Sequence, residues 1–161
     1  GKYPVETVTA MAAACAEADR ADRSHTLDAA FLDRTFTRID QSIAMAALFA
    51  AHHMRASAIV SLTQSGSTAL WVTRIDSGIP VYALTPEESS RRRMTLFREC
   101  HPVAMQYRSY DMPAVLADVE RLMLENGLVK NGDLVVITVG EPVGKSGGTN
   151  NLKIVRIGSH S

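Results

Sequence analysis

The chain has no excess charge of either sign. Seventeen Lys and Arg balance seventeen Asp and Glu, so no long-range field would hold it on nucleic acid or on an anionic membrane, and neither is expected as a partner. Arg91-Arg92-Arg93 is its tight basic run, and three arginines on a helix surface read as a solvated face. Long apolar runs are missing too: nothing approaches the roughly eighteen consecutive apolar residues of a membrane span, and the N-terminus lacks the regions of a signal peptide. These absences predict a soluble, cytoplasmic protein. Cysteine is scarce, with Cys15 and Cys100 far apart and outside any C-x-x-C spacing. They read as buried thiols in a reducing compartment rather than as zinc ligands.

Catalytic spacings are also lacking. His52 and His53 are adjacent on a predicted helix, hence about a hundred degrees apart, and cannot both face one metal. Ser65 follows Gln64 rather than completing G-x-S-x-G, and no G-x-x-x-x-G-K-[ST] loop is present. No catalytic residue, metal ligand or cofactor is therefore assigned.

What is present is the pattern of one α/β domain. With 161 residues, 46% of them hydrophobic, the chain can bury a single core. Pro4 suits a first helical turn, and Val5, Val8, Ala12 and Cys15 recur at helical spacing over residues 4–19; the charged stretch 17–25 reads as a linker. A second helix is predicted over 37–54, with Ile39, Ile43, Ala46, Ala47, Ala50 and Met54 on one face. Strands are predicted at 58–62, 80–84, 102–106, 134–139 and 153–157, with helices over 69–75 and 113–126, the latter carrying Val115, Leu116, Val119, Leu122 and Met123 on one face and stopped by Gly127. Thr85-Pro86-Glu87-Glu88 reads as a capping box with proline at the first helical position. This alternation implies a three-layer sandwich around a mostly parallel, roughly five-stranded sheet, its last strand antiparallel at the edge.

Ligands of such sheets lie at the carboxyl ends of the strands. Two loops there are rich in small and hydroxylated residues: Thr63, Gln64, Ser65, Gly66, Ser67 and Thr68 after the first strand, and residues 140–151, GEPVGKSGGTNN, after the fourth. The first reads either as a phosphate cup, built on the unpaired N–H groups of a helix start, or simply as a helix cap and turn. The second carries Lys145 as a mobile cation, with Gly144, Gly147 and Gly148 allowing the loop to be ordered by a ligand or to remain an empty hairpin. Facing each other, they favour an anion site.

Several segments, in order, resemble pyruvate kinase. Gly1-Lys2-Tyr3-Pro4-Val5-Glu6 resembles its G-[KQ]-Y-P-x-E segment, LTQSGSTALW its T-x-S-G-x-[ST]-A loop, and residues 96–102 its L-[YF]-R-x-x-x-P segment. Gly132-Asp133-Leu134-Val135-Val136 resembles G-D-x-[VL]-[VI], and Gly147-Gly148-Thr149-Asn150 the terminal G-x-T-N loop. The resemblance implies that residues 1–24 are a remnant of the last catalytic-barrel helix with its linker, and that 25–161 are the C-terminal regulatory domain of a bacterial-type enzyme. It implies that the phosphoenolpyruvate, ADP, magnesium and potassium sites lie on the barrel and its inserted domain, outside this chain. It also implies a sugar-phosphate effector pocket made by residues 63–68 and by Gly144, Lys145, Ser146, Gly147, Gly148, Thr149 and Asn150, a homotetramer when full length, and the catalytic barrel as a partner.

Two departures bear on the effector. Ser67 stands where relatives activated by fructose bisphosphates often carry Lys or Arg. A second phosphate would lack a charge-assisted contact of about 1.5 to 3 kcal/mol, which points to a sugar monophosphate. Glu99-Cys100 replaces the more usual Gly-Val. The alternative to a regulatory domain is a free-standing α/β phosphometabolite-binding module or small enzyme.

Overall fold

A computed structural model of the chain describes residues 1–21 and 35–159. Five strands, β1 (Ala58–Leu62), β2 (Val81–Thr85), β3 (Cys100–Ala104), β4 (Leu134–Gly140) and β5 (Thr149–Arg156), form one sheet in the order β3-β2-β1-β4-β5. The first four run parallel and β5 returns antiparallel to β4, giving the expected edge. All five residues of β1 are buried, as befits a central strand covered on both faces.

Strand alternation divides the core into two layers. Val60, Leu62, Leu84, Val135 and Ile137 pack on α5 (Met112–Glu125) through Val115, Val119 and Met123. Ile59, Val81 and Val136 face α2 (Ile39–His53) and α3 (Ser67–Val72) on the other side, and Ala83 and Cys100 meet Met94 of α4 (Glu88–Met94) there. The three-layer α/β sandwich is thus as expected, with Leu116 and Leu122 half-buried at the margin of α5. Among the described residues no helix is long and apolar enough to cross a membrane.

Five local expectations are corrected. The buried stripe of α2 is Asp40, Ala44, Met45, Ala47, Leu48 and Ala51; Ile39 (68% exposed), Ala46 and Met54 lie outside it. The helix is apolar nearly all round, so periodicity alone did not fix its face, and its alanines allow the closest approach to the sheet. The capping box does not form: pairing with Ala104 of β3 keeps Thr85 in β2, its Oγ1 accepts from Glu87 N at 3.1 Å, and α4 starts after Glu87. Helix α3 begins at Ser67, inside the polar run rather than beyond it. Cys15, expected to be buried, is exposed, because its helix α1 (Pro4–Ala21) has no buried side chain among those described. The predicted linker is helical as far as Ala21, and its remainder, with the boundary at residues 24 and 25, lies outside the described residues.

Candidate functional site

The first polar loop is shaped by its own side chains. Thr63 N donates to Leu84 O at 3.0 Å, tying the end of β1 to β2. Its Oγ1 then accepts from Gly66 N at 2.9 Å, and Ser65 Oγ accepts from Ser67 N at 3.4 Å. Two N–H groups expected to hold an anion are therefore engaged within the loop, a local competition usual for Ser and Thr. Gly66 takes φ 78°, and a Cβ there would stand 2.9 Å from Cγ and Sδ of buried Met94. Outside, the Arg93 guanidinium donates to the Ser65 carbonyl, so one member of the arginine run supports the loop instead of being merely solvated.

The second loop is closed at its base by Asn150. Its Oδ1 accepts from Glu141 N and its Nδ2 donates to Glu141 O, each at 2.9 Å. The loop contains a cis Glu141–Pro142 bond and turns at Gly144 with φ 84°. Lys145 is exposed and forms no ion pair among the described residues.

The two loops meet. Thr68 Oγ1 and Thr149 Oγ1 share a hydrogen bond of 2.7 Å although 81 positions separate them. One cleft is lined by Thr63, Gln64, Ser65, Ser67 and Thr68 on one side and by Gly144, Lys145, Gly147 and Thr149 on the other. Gly66, Ser146, Gly148 and Asn150 are not part of its lining; Gly66 packs on Met94 and Asn150 acts as the clamp just described. Thr68 is only 2% exposed, since the second loop covers it. The cleft encloses about 20 Å³, room for a single water-sized body. Among the described residues no buried side-chain N or O lacks a hydrogen-bond partner, so the closed cleft satisfies itself.

Sequence reasoning missed two contributors. Asp40, from the first turn of α2, lines the cleft at 4% exposure. Arg38 grips it with a fork, Nε to Oδ1 at 2.9 Å and Nη2 to Oδ2 at 2.6 Å, and Ser67 Oγ donates to Oδ2 at 3.0 Å. The Arg38 hydrogen bonds hold the carboxyl below the usual aspartate range, against the opposing effect of burial, with the Ser67 hydroxyl helping. Tyr107, between β3 and α5, forms another wall; burial, and then the neighbouring Tyr110, push its phenol upward. In the sequence Asp40 looks like an ordinary helix-start charge, and Tyr107 has no periodic setting.

The cleft thus offers hydroxyls, a free ammonium and a charge-balanced carboxylate, a set suited to holding a small polar anion rather than to nucleophilic or metal chemistry. Among the described residues no three His, Cys, Asp or Glu side chains are grouped to hold a metal ion.

The family model described as "Pyruvate kinase, alpha/beta domain" matches residues 41–155. The chain is 34% identical over 158 residues to "Pyruvate kinase II" of Salmonella typhimurium, covering 98% of this chain and 32% of that protein. It is 36% identical over 160 residues to "Pyruvate kinase" of Buchnera aphidicola subsp. Schizaphis graminum, with coverage of 98% and 32%. A similar match, 34% over 154 residues, links it to "Pyruvate kinase" of Clostridium acetobutylicum, covering 96% and 32%. The chain therefore spans about a third of the length of the curated relatives it matches.

Proposed function

Since the chain belongs to the pyruvate kinase family, as its C-terminal α/β domain, we propose that it is the regulatory and oligomerising part of a cytoplasmic enzyme that transfers phosphate from phosphoenolpyruvate to ADP. The cleft between residues 63–68 and 140–150 receives a sugar monophosphate effector. In the assembled enzyme, a homotetramer, the domain works against the catalytic barrel. Magnesium and potassium belong to that barrel and are assigned no residue here.

The observation that carries the effector reading is the convergence of two sequence-distant polar loops on one cleft, with Lys145, which has no ion pair among the described residues, in its lining. Loop hydroxyls and Lys145 bind the phosphate, while Asp40, its acceptor sites taken by Arg38, Ser67 and Gln41 N–H, fixes the Ser67 side of the cleft. A second phosphate is disfavoured beside Asp40, because the donors there, the Arg38 guanidinium and the Ser67 hydroxyl, are already engaged by that carboxylate.

Calorimetry with ribose 5-phosphate, glucose 6-phosphate and fructose 1,6-bisphosphate, on the wild type and on Lys145→Ala, tests the proposal. Lys145 is exposed, so its loss leaves the fold intact. A hydrogen bond to a charged group contributes about 1.5–3 kcal/mol, so monophosphate affinity should fall roughly ten- to hundred-fold. A monophosphate bound equally well by both proteins would put its site elsewhere.

A further inference from the structure

Two tyrosines stand against the glycine loop on a mount fixed at both ends. Met105 N donates to Thr85 O at 3.0 Å. Asp111 caps α5 by accepting from Ala114 N at 3.3 Å, and its own N–H reaches Ser109 Oγ at 3.0 Å. Between these anchors lie Tyr107, which lines the cleft, and Tyr110, their ring centroids 6.2 Å apart.

Tyr110 is 69% exposed, yet its ring fills the space that a side chain at position 144 would need. A Cβ on Gly144 would stand 2.7 Å from Tyr110 Cε1 and 3.3 Å from Cδ1. The glycine loop is thus held at two points, by the Thr68–Thr149 hydroxyl pair at its end and by an aromatic ring against Gly144. In that position the enclosed part of the cleft is about 20 Å³, room for a water-sized body but less than a phosphate fully inside it would need.

We propose that Tyr110 is a positioning residue for the glycine loop: lying in the space that Gly144 leaves, it holds residues 141–148 closed over the empty cleft, and a ligand must displace it to enter. The part of this that concerns a ligand rests on the sugar-phosphate reading; the holding of the loop does not. Where the binding-competent form is a minor one, apparent affinity falls by the fraction that is open. Tyr110→Ala raises that fraction, whereas Tyr110→Phe keeps the ring and its contact.

Hydrogen exchange on the whole chain, compared for the wild type, Tyr110→Ala and Tyr110→Phe, reads the loop directly. Amides of residues 143–148 should exchange several-fold faster in Tyr110→Ala, as in the wild type in Tyr110→Phe, with β1 and β4 unchanged throughout. Calorimetry with ribose 5-phosphate should then show several-fold tighter binding to Tyr110→Ala. Unchanged loop exchange in Tyr110→Ala overturns the positioning role. Faster exchange with weaker binding overturns the displacement step and makes the ring a wall for the ligand. Faster exchange with no binding to any variant supports the positioning role and defeats the sugar-phosphate reading instead.

Discussion

Asp40 is buried at 4% exposure because donors converge on it: the Arg38 fork, the Ser67 hydroxyl and the Gln41 N–H at 3.0 Å. Its folded pKa is lowered, chiefly by the Arg38 hydrogen bonds. Its contribution to stability is therefore complete above the unfolded aspartate value of about 3.9 and is lost as pH falls through the lower folded value. Asp40→Asn should flatten the acid limb of a plot of urea-denaturation stability against pH, below about pH 4; a limb parallel to the wild type would contradict this. Asp40→Ala, which leaves the Ser67 hydroxyl without its acceptor, should cost about 1–3 kcal/mol near neutrality. The two cysteines separate for the opposite reason, a difference in burial. Burial pushes the Cys100 thiol up to about 11, while Cys15 lies exposed on α1. Iodoacetamide at neutral pH should modify Cys15 readily and Cys100 only on unfolding, with peptide mass mapping as the readout; equal rates would mean that the core around Met94 opens easily.

Among the elements, the loop before α3 depends most on one position. Gly66→Ala would combine a left-handed backbone with a Cβ 2.9 Å from Met94, a residue with no exposed surface into which to retreat. Overpacking of this kind costs about 1–3 kcal/mol and the backbone strain about 1–2 more. Gly127→Ala, also at positive φ but with nothing within 4 Å of the added carbon, should incur the backbone part alone. Denaturant midpoints on both variants check the difference, and equal losses would remove Met94 from the explanation. The elements most legible in sequence were those whose pattern had a single solution. Strands β1 and β4 read as apolar runs at the observed positions because both their faces are covered. Helix α2 had ten apolar positions available and its face was misassigned, whereas the narrower stripe of α5 was not. Strand β5 was expected only from 153, since Thr149, Asn150 and Asn151 carry little strand signal, yet pairing with Gly140 and Val139 brings them into the sheet. The polar loops were legible because small hydroxylated residues followed strand ends. Asp40 and Tyr107 were not, because they reach the cleft from segments distant in sequence that carry no local signal of their own.

For the molecule as a whole, the unanswered surface is α1. Val5, Val8 and Met11 are 72%, 65% and 63% exposed, an apolar stripe with nothing packed on it among the described residues. Relatives about three times as long supply a ready explanation under the proposed function, in which the stripe covers the catalytic barrel. Most helical stability in proteins comes from packing of an amphipathic face, and α1 has no such packing among the described residues. In the dilute chain its amides should exchange far faster than those of β4 (Leu134–Gly140); equal protection in a proven monomer would show that the helix docks on this domain instead.

The cleft itself is tested most directly by amide chemical-shift mapping of the isotopically labelled chain during titration with ribose 5-phosphate. The proposed site predicts saturable shifts concentrated in residues 63–68 and 143–149, strongly reduced by Lys145→Ala. Saturable shifts confined to another surface, such as the arginine-rich α4, with residues 63–68 and 143–149 unmoved, would contradict it.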